Sequence, residues 1–312
     1  MRKDPIVSVI ISCYNYERFL NDCITSLINQ DTAYPCEIII VDDGSTKDNS
    51  AQLIKDLSSK HTNVVAVLQE NTGMLGAWNA GFSACNPHSE IIAFLDADDQ
   101  YDTKYLNKLV DTYKQLPNID QTITALKYYG EKTGVSIKYK TSRMLGASGL
   151  MTRWKNHPQN SSIASSLSFR RKILEVIFNN STHLWEDWRL EADSFLCIAS
   201  SILGGNCYYI SDPLIKYHIH GTNNTYQADI NSDYIRDYKL HLRKQRATTH
   251  FSQYMGHERL TSYGLLKEFF TITNPTKRNV KRYVGAILQT SDSFGAKLRD
   301  ILKARRHYKN TK

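Results

Sequence analysis

Ile6-Val7-Ser8-Val9-Ile10-Ile11-Ser12 is an almost continuous β-branched run, the mark of a strand buried on both faces as in a parallel sheet. The residues after it decide how that strand is connected. Across residues 17 to 30, Phe19, Leu20, Cys23, Ile24, Leu27 and Ile28 recur at helical spacing, and Glu37-Ile38-Ile39-Ile40-Val41 is a second buried strand, completing a βαβ unit. The alternation continues. Asp48 to Ser59 reads as a helix with Leu53, Ile54 and Leu57 inward, Val64 to Leu68 as a strand, residues 74 to 84 as a helix, and Ile91 to Leu95 as a strand. Strand and helix alternate over residues 6 to 116, which predicts a doubly wound, mostly parallel α/β sheet with flanking helices.

After residue 117 the alternation loosens. Strand-like pieces at Ile123 to Leu126, Val135 to Tyr139 and Ser162 to Phe169 predict a mixed extension of the sheet. A helix is expected from about Asp187 to Leu203, with strands near Cys207 to Ile210 and Leu214 to Ile219. Beyond Asn224 the pattern turns helical and basic. There Val280, Tyr283, Val284, Ile287 and Leu288 fall on one face, as do Leu298, Ile301 and Leu302. The expected organisation is a catalytic domain over 1–223, divided into halves 1–116 and 117–223, and a basic helical region over 224–312.

A chain of 312 residues is long enough for one sizeable α/β domain with an appendage. Its hydrophobic fraction of 41% and its lack of any 20-residue apolar window exclude a bundle of membrane spans. Met1 to Pro5 leads directly into the first strand without the apolar core of a secretory signal, so a cytosolic chain is expected. The six cysteines are dispersed with no Cys-x-x-Cys pair, which predicts reduced, mostly buried thiols in place of a zinc site or disulfide framework. The net charge of +8 is uneven, because residues 224 to 312 hold 18 Lys+Arg against 7 Asp+Glu.

In an open parallel sheet ligands bind beyond the carboxyl ends of the strands. Three of the four ends here are chemically loaded: Ser12-Cys13-Tyr14-Asn15, Asp42-Asp43-Gly44-Ser45 and Asp96-Ala97-Asp98-Asp99. Asp-Asp-Gly-Ser by itself also fits a turn with a helix cap. Asp-Ala-Asp-Asp asks for more, since no turn or cap needs three acids in four residues and their repulsion is costly unless a cation sits among them. Hard carboxylate oxygens without a His or Cys ligand pair nearby favour Mg²⁺ or Mn²⁺ over zinc. Neither Gly-x-Gly-x-x-Gly nor a Walker loop follows the first strand, which sets aside a dinucleotide dehydrogenase and a P-loop enzyme.

Taken in order, Val7 to Asn15, Ile40-Val41-Asp42-Asp43-Gly44-Ser45, Asn71-x-Gly73-x-x-x-Ala77-x-Asn79-x-Gly81 and Phe94-Leu95-Asp96-Ala97-Asp98-Asp99 resemble the family-2 inverting glycosyltransferases of GT-A fold, the type that builds bacterial cell-surface glycans. Glu186-Asp187 and, more weakly, Pro213 to His220 extend the resemblance over residues 1 to 223. It implies a nucleotide-sugar donor, with UDP the commonest nucleotide, and a glycan or lipid-linked glycan acceptor. Asp43 then contacts the base, Ser12, Tyr14 and Asn15 lie against the nucleoside, and Asn71, Gly73 and Asn79 close around base and ribose. Asp96 lies near the ribose, Asp98 is the metal ligand that bridges to the diphosphate, and Asp99 supports it. Asp187, with Glu186 beside it, matches the general base. Trp185 and Trp188 flank that base with aromatic surface suited to a sugar ring. Of His218 and His220 only one is expected to face the crevice, and His220 matches a histidine near the metal. Cys13 replaces the family's usual proline, and Trp78 stands where arginine is frequent.

From Lys277 to Lys312 there are 11 basic and 2 acidic residues interleaved with the apolar stripes. Such helices suit an anionic membrane surface, and equally a solvated face of a helical subdomain. No nucleic-acid signature accompanies the charge, so no nucleic-acid partner is expected. Two rival readings remain at this level. A sugar-nucleotide-forming nucleotidyltransferase should carry a Gly-rich, Arg-containing loop after the first strand, which is missing; a non-catalytic binding module would have no need of Asp187.

Overall fold

The structure is a computed structural model that describes residues 6–221, 234–256 and 259–311. Strands β1 (Val7–Cys13), β2 (Cys36–Asp42), β3 (Val64–Leu68) and β4 (Ile91–Asp96) form a parallel array, with helices α1 (Glu17–Ile28), α2 (Ser50–Lys60) and α3 (Met74–Ala84) in the crossovers. The expected alternation is present. After β4 come β5 (Gln100–Tyr101), α4 (Tyr105–Gln115), β6 (Gln121–Gly130), β7 (Gly134–Ser136), β8 (Arg143–Gly146), α5 (Gly149–Lys155), β9 (Leu167–Arg170), α6 (Arg171–Asn179), α7 (Ala192–Ile202) and β10 (Cys207–Ile219). One sheet results, in the order β3-β2-β1-β4-β9-β6-β10-β5, with β7 on β6 and β8 on β10.

β9 runs antiparallel to both β4 and β6, so it joins the parallel array to the mixed half. The strand order reverses at β1, whose neighbours are β2 and β4. There Ser12 is paired in register with Asp96, and Cys13 with Asp42. The loaded strand ends therefore finish level with one another at the topological switch point, where open α/β sheets bind ligands.

Alternate residues of the strands feed two apolar layers. On one side Val9, Ile11, Ile38, Ile40 and Leu95 pack against Leu20 and Ile24 of α1, Ile54 of α2 and Leu109 of α4. On the other, Ile10, Val41 and Phe94 pack against Leu75 and Trp78 of α3, Leu174 of α6 and Phe195 of α7. Each such side chain contributes roughly 1.5–3 kcal/mol on burial. All six cysteines are free thiols, and five of them are buried.

Two details depart from the sequence reading. The helix expected from Asp187 starts at Ala192; residues 182–188 form a 3-10 turn, and Glu191, at φ 63° in the left-handed region, separates the two. The strands expected at 207–210 and 214–219 are one strand, β10, whose register on β6 shifts between Ile210 and Ile215. Pro213 sits in that irregularity, where its missing N–H breaks no ladder bond.

The remaining helices among the described residues are α8 (Tyr234–Tyr254), α9 (Ser262–Phe270), α10 (Lys277–Gln289) and α11 (Phe294–Asn310). Ala247 and Phe251 of α8 belong to the same core as α3 and α7. The last three helices form their own layer, in which Leu265, Phe269, Tyr283, Ile287 and Ile301 enclose Met151 of α5. The expected stripe on α11 is split: Ile301 is buried, while Leu298 and Leu302 are 45% and 56% exposed. They point outward because Leu302 and Leu298 lie about 100° and 60° round the helix from Ile301, on the side away from the buried Asp300 and Ala304.

Glu268 ties that layer to the catalytic half. Its carboxylate accepts the Leu150 amide at 2.6 Å and the Met151 amide at 3.0 Å, in the first turn of α5, and the Tyr283 hydroxyl at 2.9 Å. Burial outweighs these donors and raises its pKa to about 7. A raised carboxyl pKa stabilises the fold at low pH and loses that contribution as pH rises from the unfolded value toward the folded one. Glu268 is therefore expected to make the fold on the order of 3 kcal/mol less stable at pH 8 than at pH 4.5. Melting temperatures of wild type and Glu268→Gln across that range should show the decline flattened in the variant.

Candidate active site

The site is built at the ends of β1, β2 and β4. Carboxylate oxygens of Asp96, Asp98 and Asp99 lie within 4.8 Å of one another. Asp99 is fully buried and receives the Ser165 hydroxyl on Oδ2 and the His218 amide on Oδ1 at 2.9 Å. Ser165, in a 3-10 turn over 164–166, also accepts the Asp96 amide at 3.0 Å, so one hydroxyl pins both ends of the acidic turn. Asp98 Oδ2 lies 2.9 Å from His220 Nε2, and its carbonyl accepts the Tyr129 hydroxyl at 3.1 Å. Asp99 is thereby an anchor, leaving Asp96 and Asp98 to face the crevice.

Burial first, then the neighbouring carboxylates, push Asp96 and Asp99 well above the usual carboxylate range. Ionising such a cluster is unfavourable without counter-charge. Hard oxygens converging in this way could hold a divalent metal ion, and the His220 imidazole lies beside Asp98.

His218 and His220 do not divide between two faces as expected. Their ring centroids are 4.9 Å apart, and both rings contact Phe19 of α1, His220 stacked at 4.6 Å and His218 edge-on at 5.1 Å. Residues two apart along a strand share a face, so both imidazoles lie beside the acids. His218 also stacks on Tyr129 at 4.5 Å.

At the end of β2, Asp43 is 4% exposed and organises the segment that follows β3. Its Oδ1 accepts the Thr72 amide at 2.9 Å and Gln69 Nε2 at 2.7 Å, and its Oδ2 accepts the Gly73 amide at 2.9 Å. Asn71 Nδ2 donates to the Asp43 carbonyl at 2.9 Å. Gly73 has φ 82°, and a Cβ there would lie 2.5 Å from Arg189 Cα. Only glycine combines that conformation with that approach. Asn15, at φ 58°, accepts the Thr46 and Lys47 amides on Oδ1, both at 2.9 Å, and fastens the β1 loop to the β2 loop. Tyr14 beside it is 46% exposed, and Ser12 is partly buried at the end of β1. Asn79 lies in the second turn of α3, half-buried, its carbonyl accepting the Ser83 hydroxyl.

The 182–188 turn packs on the start of α3. Arg189 donates to the Asn71 carbonyl and side-chain oxygen, and its carbonyl accepts the Met74 amide at 2.9 Å. Asp187 is held bidentately by Arg246 of α8, with Nε at 2.8 Å and Nη2 at 2.5 Å, while Arg243 donates to its carbonyl. Glu186 points to solvent, its side chain 85% exposed and 3.4 Å from Arg189. Trp188 is fully buried, so the sugar-stacking surface expected on both sides of Asp187 is reduced to the half-buried Trp185.

Sequence reading did not select Ser165, Tyr129, Arg189, Arg246 or Asp193. Asp193, in the first turn of α7, adds to the field that raises Asp96, and burial lifts its own pKa to about 6. Of these, only Arg189 and Asp193 carried a local signal, their closeness to Glu186-Asp187.

Fold and acidic turn together define a GT-A glycosyltransferase. The model for glycosyl transferase family 2 matches residues 8–178, and the chain belongs to that family. An uncharacterized glycosyltransferase of Nostoc sp. is 34% identical over 235 residues, covering 71% of this chain and 67% of that one. The minor teichoic acid biosynthesis protein GgaA of Bacillus subtilis is 28% identical over 186 residues, 58% of this chain and 41% of its own length. Among solved structures, S. aureus TarS 1-349 in complex with UDP-GlcNAc superposes with a TM-score of 0.54 at 14% identity, covering 97% of this chain and 72% of that one.

Removing the Ser165 hydroxyl leaves a buried carboxylate short of one donor, a loss of about 1–3 kcal/mol. Ser165→Ala is expected to show that loss in urea denaturation, with the midpoint lowered and the slope unchanged.

Proposed function

We propose that the chain transfers a sugar, with inversion, from a nucleoside diphosphate donor, UDP being the nucleotide of choice, to a hydroxyl of a glycan or lipid-linked glycan of the bacterial cell surface. The observation that carries this reading is the acidic turn at the switch point, beside the Asn71–Gly73 segment organised by Asp43. TarS solved with UDP-GlcNAc and the teichoic acid relative support the donor class and the acceptor setting. Residues 1–223 form the catalytic domain in this reading and 224–312 the helical region.

Tyr14 and Asn15 offer a ring and a fixed loop to the nucleoside, and Asp43 holds Asn71 and Gly73 where base and ribose are received, with Asn79 behind them. Ser12 and Asp96, register partners, face the ribose. Asp98, flanked by His220 and supported by Asp99, would hold Mn²⁺ or Mg²⁺, which supplies counter-charge to the departing diphosphate. Asp187 accepts the proton of the acceptor hydroxyl as its oxygen bonds to the anomeric carbon and the bond to the diphosphate oxygen breaks on the opposite face. Arg246 orients that carboxylate, and Glu186 lies at the acceptor side.

The reaction belongs at the cytosolic face of a membrane, to which the chain binds peripherally through 277–312. No helix among the described residues is long and apolar enough to cross a membrane. On α11, Phe294, Leu298 and Leu302 are 76%, 45% and 56% exposed, and Arg305 and Lys309 continue the same face. Apolar side chains ending in cations suit an anionic interface.

Three experiments test these assignments. Asp98→Ala should weaken Mn²⁺-dependent UDP binding by about tenfold or more in calorimetry, whereas Asp187→Asn should keep donor affinity and lower turnover by roughly 10²–10⁴-fold. Undiminished affinity in the first, or retained turnover in the second, removes the role. Sedimentation with phosphatidylglycerol vesicles should fall severalfold in Phe294→Ser/Leu298→Ser, and equal pelleting of wild type and variant ends the membrane assignment.

A further inference from the structure

One cavity among the described residues lies away from the carboxylates. It encloses about 750 Å³ between the 138–161 stretch of the catalytic half and the start of α10. Lys138, Arg143, Lys155, Arg278 and Arg282 line it, and no Asp or Glu does. Among the described residues none of these five forms an ion pair, whereas Arg236, Arg243, Arg246, Arg259 and Arg299 of the same helical region are each matched to an acid. Arg282 and Arg278 act on Lys138 as like charges.

Two of the cations are fixed in place. The Arg143 guanidinium donates to the carbonyls of Thr273 and Asn274 and lies 4.9 Å from the Tyr139 ring centre, and the Lys155 ammonium lies 3.9 Å from that of Trp154. Thr276 and Asn279 close a reciprocal capping box at the start of the 13-residue α10, so the positive end of that helix also adjoins the cavity. Mutual repulsion of unmatched cations around one concavity is unfavourable unless an anion enters. Guanidinium forks and a helix N-terminus are both groups that favour phosphate oxygens.

We infer that this cavity binds a phosphate-bearing ligand with more than one phosphoryl group, a phosphorylated stretch of the acceptor. The volume exceeds what one phosphate fills. Arg143 lies in β8, paired opposite Tyr209 near the start of β10, while Ile219 at the far end leads into His220 beside Asp98. On the partner strand β6 these two places are Ile123 and Gly130, seven residues and roughly 23 Å apart. An acceptor that reaches both is therefore an extended polyanion. The anion site stands independently; its assignment to the acceptor rests on the transferase reading.

The test is calorimetric titration of the full chain with sodium tripolyphosphate, in EDTA and at constant ionic strength, so that metal-dependent donor binding is silent. Saturable binding is expected, weakened at least tenfold by Arg278→Ala/Arg282→Ala and by the separate exposed variant Lys155→Ala at least threefold, and unchanged by Asp98→Ala. Equal affinity in wild type and in whichever of the first two variants retains the native melting temperature overturns the site, as does loss in Asp98→Ala. Displacement of tripolyphosphate by a soluble glycerol-phosphate oligomer supports the acceptor source. Displacement by phosphatidylglycerol vesicles with none by the oligomer overturns that source in favour of a lipid headgroup. Because binding is read without turnover, a failed anion site leaves the Asp187→Asn result untouched.

Discussion

Three carboxyl groups within 4.8 Å at the end of one buried strand repel each other, and the second half of the sheet is arranged to tolerate that repulsion. The donors that offset it come from far along the chain: Ser165 lies 66 residues beyond Asp99, the His218 amide 119 residues beyond it, and His220 122 residues beyond Asp98. β9 must therefore pair with β4, and β10 must return beside β6, for the acidic turn to be buried at all. The sharing of Ser165 between the Asp96 amide and the Asp99 carboxylate fixes the turn and sets Asp98 beside the His220 imidazole.

A second acid acts by the same principle with a different result. Asp43 is buried because backbone amides meet it, and those amides belong to the segment that would receive a nucleotide. The same segment is gripped from the other side by Arg189, whose backbone can approach only because residue 73 has no Cβ. The Asn71–Gly73 segment and the Asp187 turn are thus mechanically joined through one arginine. Asp187 is in turn joined to α8 through Arg246, so the helical region reaches the candidate base directly.

The positive charge of the C-terminal region divides by environment. On α8, arginines are consumed by Asp187 and Glu191; along α10 they face a cavity without acids; on α11 basic residues extend an exposed apolar face. A buried glutamate, Glu268, fastens this region to α5, so cavity geometry and the packing of the last three helices are one problem.

The β-branched run at Val7, its repeats at Ile38 and Ile91, and the acids that end them were enough to read a parallel α/β frame and a metal-suited turn, because strand period and carboxylate repulsion are local properties; the switch point needed the strand order. The roles of Asp98 and Asp99 could be separated only in part from the same residues, and the facing of His218 and His220 was misjudged. The break between the 182–188 turn and α7 was invisible too, since nothing in Glu191 announces a left-handed backbone. Ser165, Tyr129, Arg246, Lys138, Arg143 and Lys155 left no local pattern at all, and Arg278 and Arg282 stood out only as members of the basic run after residue 277. Their meaning depends on which distant charge or dipole they meet, and Coulomb and hydrogen-bond energies are set by distances of a few ångströms that only the folded chain brings about.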